Sequence, residues 1–187
     1  MGTKLNKIIY TIGILIIFSP IGWSQKNNYS TVIIDNLEIN KFKYGYDINK
    51  CIEIFGKPKV YKEYIDPYPI EGYGKTIYLI YDSLKLTFIE LYNKIILSNI
   101  NIYGKGYIVS TGSFIFKIGE NIEKLKYFEK SYEYFLKQNP KPYKEQEQFF
   151  YINILIKRFD YEYYGLINVK LINDIIKEIS FRFDEGT

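Results

Sequence analysis

Apolar and polar residues alternate along several stretches of the chain with the period of a half-buried β-strand. Leu84, Leu86 and Phe88 alternate with Lys85 and Thr87, and Phe150, Ile152, Ile154 and Ile156 with Tyr151, Asn153, Leu155 and Lys157. Ile167, Val169 and Leu171 alternate with Asn168 and Lys170, and Ile179, Phe181 and Phe183 with Ser180 and Arg182. The pattern predicts strands over 77–81, 84–91, 95–103, 149–159, 166–172 and 175–183, with turns at Asp82-Ser83, Asn93-Lys94 and Asn173-Asp174. Ser30 to Ile39 is expected to supply one or two leading strands, and Tyr107 to Lys117 a bridging one.

A helical signal precedes each group of strands. Ile48, Cys51, Ile52 and Phe55 recur at i, i+3, i+4 and i+7, the stripe of an amphipathic helix. Asp47 is placed to cap its start, Gly56 its end, and Pro58 stops it. In the second half Asn121 is the matching cap, followed by Ile122, Leu125, Phe128, Tyr132 and Phe135 before Pro140 and Pro142. Tyr44-Gly45-Tyr46-Asp47-Ile48 aligns with Ile118-Gly119-Glu120-Asn121-Ile122, which reads as an internal repeat. The expected fold class is therefore α+β, two tandem helix-plus-antiparallel-hairpin (αβββ) repeats with helices on one face of a mainly antiparallel sheet. Residues 25–41 form an N-terminal strand segment, 42–105 the first repeat, and 106–187 the bridging strand and second repeat.

The segments from Gly45 to Pro58, the hairpins after them and the second start at Ile118 to Ile122 carry a family likeness. The arrangement resembles the tandem-repeat fold of beta-lactamase-inhibitor proteins and of the SmpA/OmlA (BamE-like) assembly proteins. That resemblance implies a non-enzymatic module that binds another protein through an open sheet surface and adjoining loops.

The N-terminus changes the picture of where the chain works. Lys4 and Lys7 precede the apolar run Ile8 to Phe18, Pro20 breaks it, and Gly22-Trp23-Ser24 offers small residues around a cut. This is the order of parts in a signal peptide, expected to occupy residues 1–24. The apolar run is too short to span a bilayer, so no membrane span is expected after cleavage, and the protein is expected to be periplasmic or secreted. Of 25 basic residues, Lys4 and Lys7 leave with the peptide, so 23 face 21 acidic ones. That near balance argues against nucleic-acid binding, which needs a concentrated basic footprint.

Composition removes further chemistry. Of 187 residues 47% are hydrophobic and 19% aromatic, with no His and no Ala. Without His there are no His-dependent triads, His-ligated zinc sites or imidazole switches. The lone Cys51 sits among apolar neighbours and reads as a small core residue. The 21 Tyr and 13 Phe accompany a Lys-, Ile- and Asn-rich composition, so their number reflects AT-rich codons before any stacking role. Gly72-Tyr73-Gly74-Lys75-Thr76 ends like a phosphate-binding loop, but Pro69 stands where the first Gly is needed and β-rich residues follow. Nothing in the pattern points to a cofactor or a metal.

Two surfaces remain as candidates for binding another envelope or extracellular protein. In the loop from Asp66 to Gly74, restrained by Pro67 and Pro69, Tyr68 and Tyr73 are amphipathic anchors. On the polar face of the strands the candidates are Thr87, Asn99, Asn101, Tyr103, Tyr151, Asn153, Lys170 and Arg182. An alternative is a glycan or cell-wall ligand binder, with Tyr68, Tyr73 or Tyr151 stacking on sugar rings. A third reading is a small hydrolase using carboxylates such as Glu63, Asp66 and Glu71, which needs two acids in unequal environments. The protein-binding, non-enzymatic reading ranks first.

Overall fold

Among the described residues, three hairpins close on two-residue turns with both central residues at positive φ: Asn40-Lys41, Tyr92-Asn93 and Asn173-Asp174. That combination is the signature of the type I′ turn, whose twist matches the strands it joins, and Asn and Asp tolerate it best. In the computed structural model residues 28–65, 73–140, 146–158 and 161–183 are described. The chain runs β1 (Thr31–Ile33), a 3-10 turn (Ile34–Asn36), β2 (Leu37–Ile39), β3 (Phe42–Lys43) and α1 (Ile48–Phe55). A meander of β4 (Val60–Ile65), β5 (Tyr73–Ile80), β6 (Leu84–Leu91) and β7 (Lys94–Ile102) follows. Then come β8 (Ile108–Thr111), β9 (Ile115–Lys117), a second 3-10 turn (Ile122–Tyr127) and α2 (Glu129–Gln138). A second meander of β10 (Glu147–Arg158), β11 (Tyr161–Ile172) and β12 (Ile175–Phe183) completes it.

These strands form two sheets. The larger has eight strands in the order β1-β10-β11-β12-β7-β6-β5-β4, and the smaller four in the order β3-β2-β8-β9. All pairings in the large sheet are antiparallel except β1 with β10, so the sheet is mixed. The two meanders join through β12 and β7, from Ile179 opposite Ile102 to Arg182 opposite Asn99.

The expected α+β architecture of two αβββ repeats is overturned by this topology. The protein is mostly β, and the two meanders make one continuous sheet rather than two helix-covered units. The helices are too short to be the cover: α1 has eight residues and buries fully only Cys51, and α2 has ten. The segment expected to begin the second helix at Ile122 is a 3-10 turn, and α2 starts afresh at Glu129. The segment expected to bridge the halves splits into β8 and β9, which join β2 and β3 in the small sheet. The strands of the alternating stretches do form, with β6 and β12 at their expected bounds.

One face of the large sheet holds the core. Leu84, Leu86, Phe150, Ile152, Ile154, Ile167, Val169 and Ile179 are fully buried on it, in one cluster with Leu37, Ile39, Phe42, Val109 and Phe116 of the small sheet. Rings join the layers: Tyr44 lies 4.7 Å from Phe183, Phe55 of α1 meets Phe42 and Tyr81, and Phe135 of α2 meets Phe150. No helix among the described residues is long and apolar enough to cross a membrane. The segment read as a signal peptide, residues 1–24, lies outside the described residues.

Candidate functional site

Positions that alternate with the core face fall into rows across the other face of the large sheet. One row runs Asn153, Leu166, Arg182, Asn99, Thr87, Tyr78 and Lys62, one residue per strand from β10 to β4. The next runs Tyr151, Asn168, Ser180, Asn101, Lys85 and Ile80. With strands ~4.8 Å apart, the longer row crosses about 29 Å. Phe149, Lys170 and Glu178 begin a third row, and Tyr103 continues the alternation of Asn99 and Asn101.

The register thus brings Thr87, Asn99, Asn101, Tyr151, Asn153, Lys170 and Arg182 onto one face, with Tyr103 beside them. Their accessibility differs. Tyr103 is 51% exposed, while Thr87 and Asn153 are buried at 9% and 6% and offer a partner little surface. Arg182 is exposed, and Asn99, Asn101, Tyr151 and Lys170 are half-buried. Tyr68 lies outside the described residues, as does the side chain of Tyr73. Tyr78, Lys85, Asn168, Ser180 and Glu178 share the face and were not among the expected candidates. The same alternation that marks their neighbours could have found them.

The polar groups of the face hold one another. Lys85 Nζ lies 4.7 Å above the Tyr78 ring, a cation–π contact. Asn99 Nδ2 donates to Ser98 Oγ at 3.0 Å. Lys170 Nζ lies 2.5 Å from Glu147 Oε1, which raises the ammonium pKa. Burial raises the Tyr151 phenol, and burial followed by Glu178 raises that of Tyr103. At the β1 edge the Tyr29 ring lies 5.5 Å from Tyr151 and 5.3 Å from Tyr134. Its phenol is pushed up to about 12, first by burial and then by those two neighbours. Asn168 Oδ1 is buried with no hydrogen-bond partner, a costly state for an amide oxygen.

A second feature lies where the end of α1, the β2–β3 turn, the β5–β6 turn and the loop after β7 meet. They surround an open cavity of about 360 Å³, lined by Asn40, Phe55, Asp82, Ser83, Lys105 and Tyr107 among others. Asn40 ties two of the loops together, donating to Gly106 O at 3.2 Å and accepting from Ile108 N at 2.8 Å. The rings of Phe55 and Tyr107 stand 6.0 Å apart at 61°. Asp82 is the one carboxylate of this lining and pairs with Lys59. These residues come from a helix end and three separate loops, so no local pattern announces the cavity.

Acid chemistry at Glu63 finds no support in its surroundings. Tyr61 Oη donates to its carboxylate at 2.6 Å and Lys75 Nζ lies 3.2 Å away. Both hold the carboxyl below its ordinary range, Tyr61 most, whereas a general acid needs the opposite shift. Asp66 and Glu71 lie outside the described residues. Cys51 is fully buried and free, and burial, with a smaller push from Asp47, raises its thiol to about 12. It is a core residue. Among the described residues no group of three or more Cys, Asp or Glu side chains is placed to hold a metal ion. Comparisons with protein-family models, with curated proteins and with solved structures give no match for this chain.

Proposed function

We propose that the protein is an exported, non-enzymatic binding module that engages another protein of the cell envelope or its surroundings through the outer face of the large sheet. The repeat argument for such a surface falls with the repeats, and the reading now rests on the face itself. The supporting observation is the run of two adjacent rows across the strands, carrying Tyr78, Tyr151, Asn99, Asn101, Asn168 and Ser180 with Arg182 and Lys85 among them. Tyr, Asn and Ser make up binding surfaces that combine rigid aromatic area with adaptable hydrogen bonding, as in antibody loops. Arg adds the side chain most often found with Tyr at energetic hot spots.

The test is capture from an envelope extract with three versions of the purified chain. These are the wild type, a Tyr103→Ala/Tyr151→Ala/Arg182→Ala triple variant, and a Lys124→Ala/Lys137→Ala control away from the face. A partner retained by wild type and control and weakened roughly tenfold or more by the triple variant supports the reading. Equal retention by all three rejects it.

The cavity favours a second reading, a glycan or cell-wall ligand held beside Phe55 and Tyr107 with Asn40, Asp82 and Ser83 as hydrogen-bonding groups. Its volume is within the range of small-molecule sites. It uses none of Tyr68, Tyr73 and Tyr151, on which the glycan reading from sequence relied. Saturation-transfer NMR with peptidoglycan fragments tests it, with loss of transfer expected in Tyr107→Ala. No transfer to the wild-type chain sets it aside.

A further inference from the structure

The two edges of the large sheet are finished differently. At one edge β1 has only three residues, and the chain before it is anchored, with Ser30 N donating to Ser131 Oγ at 2.8 Å and Tyr29 packed on Tyr134 and Tyr151. At the other edge β4 has six residues, all exposed, and among the described residues it pairs only with β5. Its outer side is a row of backbone donors and acceptors without strand partners, a template for another strand. Edges that stay alone are usually blunted by Pro, by a bulge, by shortness or by charged side chains, Lys above all, and of these β4 has only the charges of Lys62 and Glu63. β4 contains no Pro and pairs with β5 without a register shift. It also exposes Val60, Tyr61, Tyr64 and Ile65, the last at 69%.

We propose that β4 pairs antiparallel with β4 of a second copy of this chain, joining two large sheets edge to edge. This goes beyond the binding face proposed above and uses none of its exposed candidates. A two-fold axis normal to the sheet keeps each copy's faces in place, so same-face residues meet and one residue lies opposite itself. Placing Lys62 on the axis would oppose two ammonium groups, and among the described residues no carboxylate pairs with Lys62. Placing Glu63 there sets Tyr61 against the other copy's Ile65 and Lys62 against its Tyr64 ring. Each Glu63 also brings its own cation, because Lys75 Nζ lies 3.2 Å from Glu63 Oε2. The axis then carries two carboxylates and two ammonium groups. This charge balance, with apolar groups on either side, fits a second copy of the same strand. An interface one strand wide is small, so the dimer is weak and concentration-dependent.

Sedimentation equilibrium of the full chain from micromolar to millimolar concentration is expected to show a reversible monomer–dimer equilibrium. Tyr64→Lys, on an exposed side chain, sets a second ammonium against Lys62 of the other copy and is expected to raise the dissociation constant roughly tenfold. Oxidation is expected to cross-link Glu63→Cys with itself and to leave Lys62→Cys, which faces position 64 of the other copy, without a disulfide, with Cys51 buried and out of the reaction. A chain that stays monomeric throughout, or a dimer that Tyr64→Lys does not weaken and Glu63→Cys does not cross-link, overturns the proposal.

Discussion

Asp47 and Asn121 stand at the same point of two similar segments, yet one opens an α-helix and the other a 3-10 turn. Asp47 Oδ1 accepts from Lys50 N, three residues on, the reach of an ordinary α-helical cap. Asn121 Oδ1 accepts from Glu123 N, two residues on. The difference lies behind the cap. Gly119 N donates to Ile176 O, Ile176 N to Glu120 O and Ile122 N to Asp174 O, and Asn121 bridges Ile175. The second segment is therefore held extended against the β11–β12 turn, and the turn that follows is tightened. A local capping pattern marks where a helix can start, and the neighbouring strand decides what kind of turn follows.

The largest test of this comparison asks whether the halves stand or fall together. Ile154 is fully buried in the second meander and Leu86 in the first. An uncompensated carboxylate at either costs several kcal/mol, so Ile154→Asp and Leu86→Asp are each expected to unfold the whole chain. Urea titration followed by far- and near-UV circular dichroism should give one coincident transition for the wild type. A variant in which one meander kept its exchange-protected amides would restore the two-unit view that the joined sheet excludes.

Glycines sharpen the contrast between the meanders. A Cβ at Gly165 would meet Arg182 O at 2.5 Å and Ile154 side-chain atoms at 3.4 Å, whereas one at Gly74 would meet only the Glu90 side chain, at 3.0 Å. Backbone cannot swing aside as a flexible carboxylate can. Gly165→Ala is expected to cost about 2–3 kcal/mol by overpacking and Gly74→Ala under ~1 kcal/mol, both read from denaturant midpoints. Equal costs would mean that the β11–β12 contact relaxes more freely than its burial implies.

Strand positions were legible where the signal is local. β6 and β12 have their expected bounds because each carries a full run of alternation ended by a turn. The faces were legible too, since a period of two assigns each residue to one side. The small sheet was not, because β2 and β9 have three residues each, too few to show a period. Nor was the parallel pairing of Thr31–Ile33 with Asn153–Leu155, which joins segments far apart in sequence. The same holds for the β12–β7 junction, so the site's residues could be assigned to a face while its continuity could not. The burial of Thr87 and Asn153 depends on neighbours that only the assembled sheet supplies.

Base should weaken the cover near α1. The Cys51 thiol and the Tyr81 phenol are both pushed up to about 12, in each case first by burial. A folded pKa above the unfolded one favours the protonated form. That contribution is complete below the ordinary thiol and phenol range and is lost as pH rises toward 12. Thermal melts are expected to fall steadily across this window, with a shallower fall in Cys51→Ala. An unchanged slope in that variant would remove the thiol from the account.

The smallest effect returns to the two caps. Asp47→Ala removes the partner of Lys50 N, and α1 has only eight residues and few other restraints at that end. The expected cost is about 1 kcal/mol. Asn121→Ala also removes one capping bond, but Gly119 N still donates to Ile176 O, Ile122 N to Asp174 O and Ile176 N to Glu120 O. The turn stays in place without its cap, so the expected cost is about 0.5 kcal/mol. If strand pairing governs the second segment, Asn121→Ala will also leave amide exchange at Ile122 unchanged, while Asp47→Ala will speed exchange at Lys50. The reverse order of costs would return the 3-10 turn to the control of its cap and remove the β11–β12 turn as the cause of the difference.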